Sequence, residues 1–264
     1  MDLGLRGKVA IVAASSKGLG RAVATGLARE GALVTVNGRE AATLAATAKA
    51  IRDDTGGDVI EVVGDMTRPD DITRLVDETV RQRGGLDVVV CNAGGPPPGN
   101  FESFPNDQPW LDALNLNLMS TLRLSRAALP HLEARGGGSI TNMVSISVKQ
   151  PIPHLILSNT ARTAVIGLAK TMATEFAGRN VRINSVCPGS ILTDRIRSLA
   201  ESRAKETGRP VAEILEEDAA AIPMGRFGAP EEFANVVVFI ASPAASYVTG
   251  DTIPVDGGVY RGLM

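Results

Sequence analysis

Ala14-Ser15-Ser16-Lys17-Gly18-Leu19-Gly20 follows a short apolar run and leads into a helical one. A glycine-rich turn in that place lets backbone N–H groups and a helix N-terminus approach a pyrophosphate. Two glycines after a strand are weak evidence alone, because many such turns use them only for close packing. The second apolar run adds context by ending in Asn37-Gly38-Arg39. Sites that prefer NAD place an acid there to hold the ribose 2′-hydroxyl. Here Asn37 takes that position, Arg39 follows two residues on, and Lys17 lies inside the turn. Two cations and no acid suit a 2′-phosphate, so NADP(H) is expected in preference to NAD(H). The plainer alternative is that Lys17 and Arg39 are solvated surface charges. Metal chemistry is not expected: Cys91 and Cys187 form no CxxC pattern, and His131 and His154 are the only histidines. The cysteines read as reduced, buried thiols of a cytoplasmic protein.

These residues must be positioned by short β-branched runs that alternate with longer helical ones. Strands are expected at 8–13, 33–37, 59–63, 86–91, 139–143, 181–186 and 252–255. Helices are expected at 21–30, 40–53, 70–83, 109–135, 158–177 and 231–242. Near-continuous apolar runs such as Val88-Val89-Val90-Cys91 suit strands buried on both faces. The alternation implies an α/β fold over 1–264, a single domain built as a doubly wound parallel sheet (Rossmann) of about seven strands with helices on both faces. Residues 194–228 break the rhythm as a polar, helical insertion, expected to cover the substrate site. With 264 residues the chain can bury a core without staples, and a net charge of −2 argues against a nucleic-acid partner. No apolar run of membrane-spanning length exists, and residues 1–12 lack the features of a secretory signal.

Further motifs follow in order. Asp65 comes after the third strand and Asn92-Ala93-Gly94 after the fourth. Asn117 lies in the long helical stretch, Ser145 follows the fifth strand, and Pro188-Gly189 precedes Thr193. The chain then carries Ile222-Pro223-Met224-Gly225-Arg226-Phe227-Gly228, Tyr247-Val248-Thr249-Gly250 and Val255-Asp256-Gly257-Gly258. Together these resemble the short-chain dehydrogenase/reductase family over nearly the whole chain, with a tail close to that of 3-oxoacyl-carrier-protein reductases. The resemblance implies that Ala14, Ser16, Lys17, Gly18, Leu19 and Gly20 form the phosphate turn. It places Asp65, Met66, Asn92, Ala93 and Gly94 on the adenine side, and Pro188, Gly189, Ile191 and Thr193 around the nicotinamide. Ser145 would polarise a substrate carbonyl and Asn117 would order a relay water. The implied substrate is a ketone, a 3-oxoacyl thioester or the matching secondary alcohol. The implied assembly is a homotetramer or homodimer formed through the long helices 109–135 and 155–178.

The family's Tyr-x-x-x-Lys pair falls on Ser158 and Arg162, and its first turn glycine falls on Ala14. If Ala14 needs positive φ, the cost is about 1–2 kcal/mol. A serine hydroxyl is shorter and far less acidic than a phenol. Arg162 can bridge ribose hydroxyls but stays protonated, so it cannot relay a proton. Tyr247 and Tyr260, the only tyrosines, both fall in the C-terminal segment and are not expected to substitute. His154 could protonate an alkoxide directly or through water, although beside Pro153 at a helix start it reads more simply as a packing or solvent residue. Lys149 reads as a solvated charge. Arg195, Arg197 and Arg203 could meet an acidic or phosphopantetheine-bearing substrate, but beside Glu201 and Glu206 they suit a solvated helix equally well. The expected function is thus an NADP-dependent oxidoreductase with a non-standard proton donor. The alternatives are an NADP(H)-binding regulatory subunit, or a lyase or isomerase on the same scaffold.

Overall fold

Strand β1 (Val9–Val12) sends Ala10 and Val12 into one apolar cluster and Val9 and Ile11 into another. That two-residue period decides which helices each face of the sheet receives. The computed structural model describes residues 1–263, apart from the side chain of Ser202. The remaining strands are β2 (Leu33–Gly38), β3 (Val59–Val63), β4 (Val88–Cys91), β5 (Gly138–Met143), β6 (Val181–Pro188) and β7 (Thr252–Val255). Their order is β3-β2-β1-β4-β5-β6-β7, with every pairing parallel. The described helices are α1 (Gly18–Arg29), α2 (Ala41–Thr55), α3 (Pro69–Arg83), α4 (Gln108–Leu114), α5 (Ser120–Ala134), α6 (Ile156–Phe176), α7 (Asp194–Thr207), α8 (Val211–Ala220) and α9 (Pro230–Ala241). Leu27 of α1, Leu44 of α2 and Phe233 of α9 cover one face. Leu75 of α3, Leu124 of α5 and Ala169 of α6 cover the other. The doubly wound parallel sheet expected from the sequence is therefore present. Among the described residues no helix is long and apolar enough to cross a membrane.

The stretch expected as one helix over 109–135 is interrupted. Between α4 and α5 lies a π-helical turn, Asn115–Met119. A π turn widens the helix by one residue and commonly re-aims a side chain at a functional site. Here it carries Asn117, which is buried and donates from Nδ2 to the Gly94 carbonyl (3.2 Å). Apolar spacing runs on through the turn, so periodicity alone cannot reveal it.

Two polar contacts brace the sheet end that matters for function. Ala14 has φ 45°, a left-handed conformation that costs an L-residue about 1–2 kcal/mol. Its N–H donates to Asn37 Oδ1 (3.1 Å) and its carbonyl accepts from Asn92 Nδ2 (3.0 Å), so the strained residue is gripped from β2 and from the exit of β4. At the opposite end, the buried Asp87 carboxylate accepts from Val9 N (2.9 Å), Lys8 Nζ (3.1 Å) and Arg135 Nη2 (3.3 Å). Burial pushes its pKa up, but the Val9 N–H, Lys8 and Arg135 outweigh that and hold it below its ordinary value.

We expect Ala14→Gly to gain about 0.5–1 kcal/mol, read as a rise of roughly 2–4 °C in a thermal melt. An unchanged or lower midpoint would show that φ at this position is not strained in solution. Asp87→Ala should cost about 2–4 kcal/mol at neutral pH, since it orphans a buried N–H and two cations. The wild-type contribution is complete above the unfolded pKa of about 4 and is lost as pH falls through the lower folded value. Urea titrations of the two proteins should therefore diverge at neutral pH and converge in acid.

Candidate active site

The carboxyl ends of the strands open onto one cavity of about 680 Å³. Its wall carries Ala14, Ser16, Lys17, Gly18, Leu19 and Gly20 from the first turn, Asn37 at the end of β2 and Arg39 just after it, and Asp65 and Met66 after β3. Asn92, Ala93, Gly94, Ser145, Ser158, Arg162, Pro188, Gly189, Ile191 and Thr193 complete it. Every residue expected to meet the cofactor thus lies on a single surface, at the β1–β4 switch point where ligands bind in this architecture. Gly20 is required there. A Cβ on it would stand 2.6 Å from the Ala14 carbonyl oxygen and 2.8 Å from Asn92 Nδ2.

Asn37 needs correcting as a ribose contact. Its side chain is buried and fully engaged, accepting from Ala14 N and donating to the carbonyls of Val62 and Gly64 (both 3.1 Å). The position that faces the turn is Gly38, whose Cβ would lie 3.0 Å from Ser16 Cβ. Sequence reasoning missed Gly38, although the alternation along β2 contains the signal. Val36 points to the α1 side of the sheet, and residue 38 must follow it. An acid at 38 would meet the cavity, and none is there. Lys17 and Arg39 are exposed at this end, and neither makes an ion pair or hydrogen bond from its side chain to another described residue.

At the other end Ser145 follows β5, and its Oγ accepts from Ser147 N (3.1 Å). Ser158, in the first turn of α6, is buried on the cavity wall, and its hydroxyl bonds to no other described residue. One turn later Arg162 donates from Nη1 to the Val144 carbonyl (3.1 Å) and from Nη2 to the Gly94 carbonyl (3.2 Å). Loss of water around the guanidinium, and then the charge of Arg195, lower its pKa to about 10. It stays protonated at neutral pH. Asn117 sits behind this group, on a separate pocket of about 10 Å³ shared with Arg162, Asn92 and Thr121. That is about the volume of one water, and Asn117 Oδ1 is buried there without a partner in the protein.

His154 does not join them. It forms a left-handed turn (φ 61°) before α6, its carbonyl accepts from Gly99 N (2.7 Å), and its side chain is exposed away from the cavity wall. Pro151 and Pro153, both just before it, belong to the loop that leads into α6. Lys149 is not a free surface charge either: its ammonium lies 5.3 Å from the centre of the Tyr260 ring. Tyr260 packs beside Val144, Ile146, Val165 and Cys187, behind the cavity and off its wall, and Tyr247 is exposed. The three insertion arginines separate. Arg195 lines the cavity, Arg203 pairs with Asp218 (2.8 Å) to join α7 to α8, and Arg197 lies off the wall.

The model of the family described as Enoyl-(Acyl carrier protein) reductase matches residues 13–260. The chain is 35% identical to 3-oxoacyl-[acyl-carrier-protein] reductase FabG of Vibrio cholerae over 258 residues, covering 98% of this chain and 99% of that one. Its fold matches L-sorbose reductase from Gluconobacter frateurii, solved with NADPH and L-sorbose, with a TM-score of 0.96, 35% identity and full coverage of both chains. It also matches a short chain oxidoreductase from Pseudomonas aeruginosa PAO1, described as containing an atypical catalytic center, with a TM-score of 0.90, 32% identity, and 98% and 99% of the two chains covered. The glycine turn, the Asn92-Ala93-Gly94 wall and the pair Ser158 and Arg162 therefore stand in a frame shared along nearly the whole chain, and the chain belongs to the short-chain dehydrogenase/reductase family and is an oxidoreductase.

Proposed function

We propose that this oxidoreductase uses NADP(H) to reduce a small-molecule ketone or 3-oxoacyl thioester, or to oxidise the matching secondary alcohol. One observation carries the reading: a single cavity joins the glycine turn, with unpaired Lys17 and Arg39, to Ser145, Ser158 and Arg162. The ribose end fits a phosphate better than a bare hydroxyl. It offers two cations, and Gly38 where an acid would otherwise project.

The turn at residues 16–20, with Lys17 and Arg39, would hold NADP(H), which would supply the hydride for a carbonyl carbon. Ser145 donates a hydrogen bond to the carbonyl oxygen and fixes its direction, its own orientation being set by Ser147 N–H. Arg162 keeps a fixed positive charge beside that oxygen and stabilises the negative charge that develops on it. Ser158 Oγ, free of other partners, orients the oxygen or a water beside it. The proton is drawn from water, with the Asn117 pocket as the place where one is ordered. The 194–228 segment, a covering insertion in this reading, supplies the wall residues Arg195 and Ile196. The expected setting is a cytoplasmic homotetramer or homodimer built on the long helices. The missing Tyr-Lys pair favours one competing reading, an NADP(H)-binding regulatory subunit.

Mixing the protein with NADPH and a ketone panel that includes a short 3-oxoacyl thioester tests this directly. We expect cofactor fluorescence to report binding and absorbance to report oxidation, with Ser145→Ala slowing turnover by roughly 10²–10⁴-fold. Tight binding without oxidation across the panel would favour the regulatory subunit, and no binding would remove the cofactor reading. Arg39→Ala should raise the NADPH Kd roughly tenfold or more while moving the NADH Kd little. Equal losses for both cofactors would show that Arg39 does not meet a 2′-phosphate.

A further inference from the structure

Four cations line the cavity: Lys17, Arg39, Arg162 and Arg195. Lys17 and Arg39 stand at the ribose end, and Arg162 is bonded to backbone carbonyls. Arg195, the second residue of α7, is exposed, and its guanidinium makes no ion pair or hydrogen bond with another described residue. It lies flat against Gly95. A Cβ on that glycine would fall 2.8 Å from Arg195 Cζ and closer still to Nη1. Gly95 follows the Gly94 carbonyl that holds both Arg162 and Asn117, so Arg195 stands at the reacting end of the cavity. Its charge is felt by Arg162, where it adds to burial in lowering the pKa. The only acids on the wall are Asp65, beyond β3, and Asp194, which forms no ion pair with Arg195. Two guanidiniums face one space with no carboxylate between them, an arrangement that repels itself until an anion enters.

The geometry assigns Arg195 as a specificity-determining residue that pairs with an anionic oxygen group, a carboxylate or phosphate, on the substrate. This rests on the reductase reading and narrows it to anionic carbonyl compounds. A planar fork of donors suits such groups, which it can hold by two parallel hydrogen bonds. On the same cavity wall as Ser145, that grip would fix which carbonyl of a substrate meets the hydride.

Matched substrates test it: oxo acids against their methyl esters, and hydroxyketone phosphates against the free hydroxyketones. The wild type should prefer the anion in kcat/KM. Arg195→Ala should cut that preference roughly tenfold to a hundredfold, and Arg195→Lys should restore part of it. A second readout needs no turnover: unreactive carboxylates or phosphates should raise the melting temperature of the protein–NADP⁺ complex in the wild type and not in Arg195→Ala. Absence of anion preference in the wild type by both readouts overturns the assignment. It also fails if Arg195→Ala weakens NADPH binding as much as anion binding, for then the guanidinium serves the cofactor diphosphate. If NADPH itself does not bind, the reductase reading fails separately. The melting shift with the anions alone then decides Arg195: a shift lost in Arg195→Ala supports it, and none in the wild type overturns it.

Discussion

Ala14 held in a left-handed conformation is the constraint on which the rest depends. Its N–H is tied to Asn37 at the end of β2 and its carbonyl to Asn92 at the exit of β4. The chain leaving β1 is thereby turned sharply enough for α1 to start at Gly18, with Gly20 pressed against the Ala14 carbonyl. The first turn of α1 then faces the crevice between β1 and β4, the place where the strand order reverses. Without the two asparagine contacts an alanine would not hold this geometry cheaply. The side chain of Asn37 consequently braces the cradle and is not available as its ribose contact.

A similar logic governs the reacting end. A lysine offers one compact charge, whereas a guanidinium presents several donors in a plane and must satisfy them. Arg162 does so by bonding Gly94 after β4 and Val144 after β5, and Asn117 adds a second bond to the same Gly94 carbonyl. Arg162, at the position where the resemblance puts a lysine, is thus a strut between two loops that carries a fixed charge. The π turn serves the same junction, because it carries the Asn117 that bonds the Gly94 carbonyl.

Much of this was legible in the sequence. The sheet and its seven strands follow from β-branched runs and helical spacing, because each is a local consequence of residue type, and the motifs that the resemblance groups together do line one cavity. What was not legible depends on distant contacts. The π turn leaves apolar spacing intact, and the partners of Asn37 come from β1 and β3. His154 is turned outward by a backbone conformation that no pattern announces, and Lys149 finds Tyr260 from more than a hundred residues away. Arg195, Arg197 and Arg203 look alike along the chain. Only the placement of α7 against Gly95 and α8 separates them.

The loss of the tyrosine reads differently once charge stabilisation and proton donation are treated as separate demands. In carbonyl reduction the developing negative charge must be stabilised as the hydride arrives, whereas the proton can follow from any adequately placed donor. Arg162 has a pKa of about 10, which keeps it positive at neutral pH despite burial, and Arg195 adds a second positive charge nearby. In the proposed reduction, such charge stabilisation would let the proton arrive after the hydride, so a slower source than a phenol, such as water, could complete the step. Ser158 is short, and its hydroxyl has no partner among the described residues. In the reading proposed above, the positive potential that would stand in for the acid would also favour substrates that bring a negative charge of their own, so the proposed proton chemistry and the anionic specificity proposed for Arg195 would share one electrostatic origin.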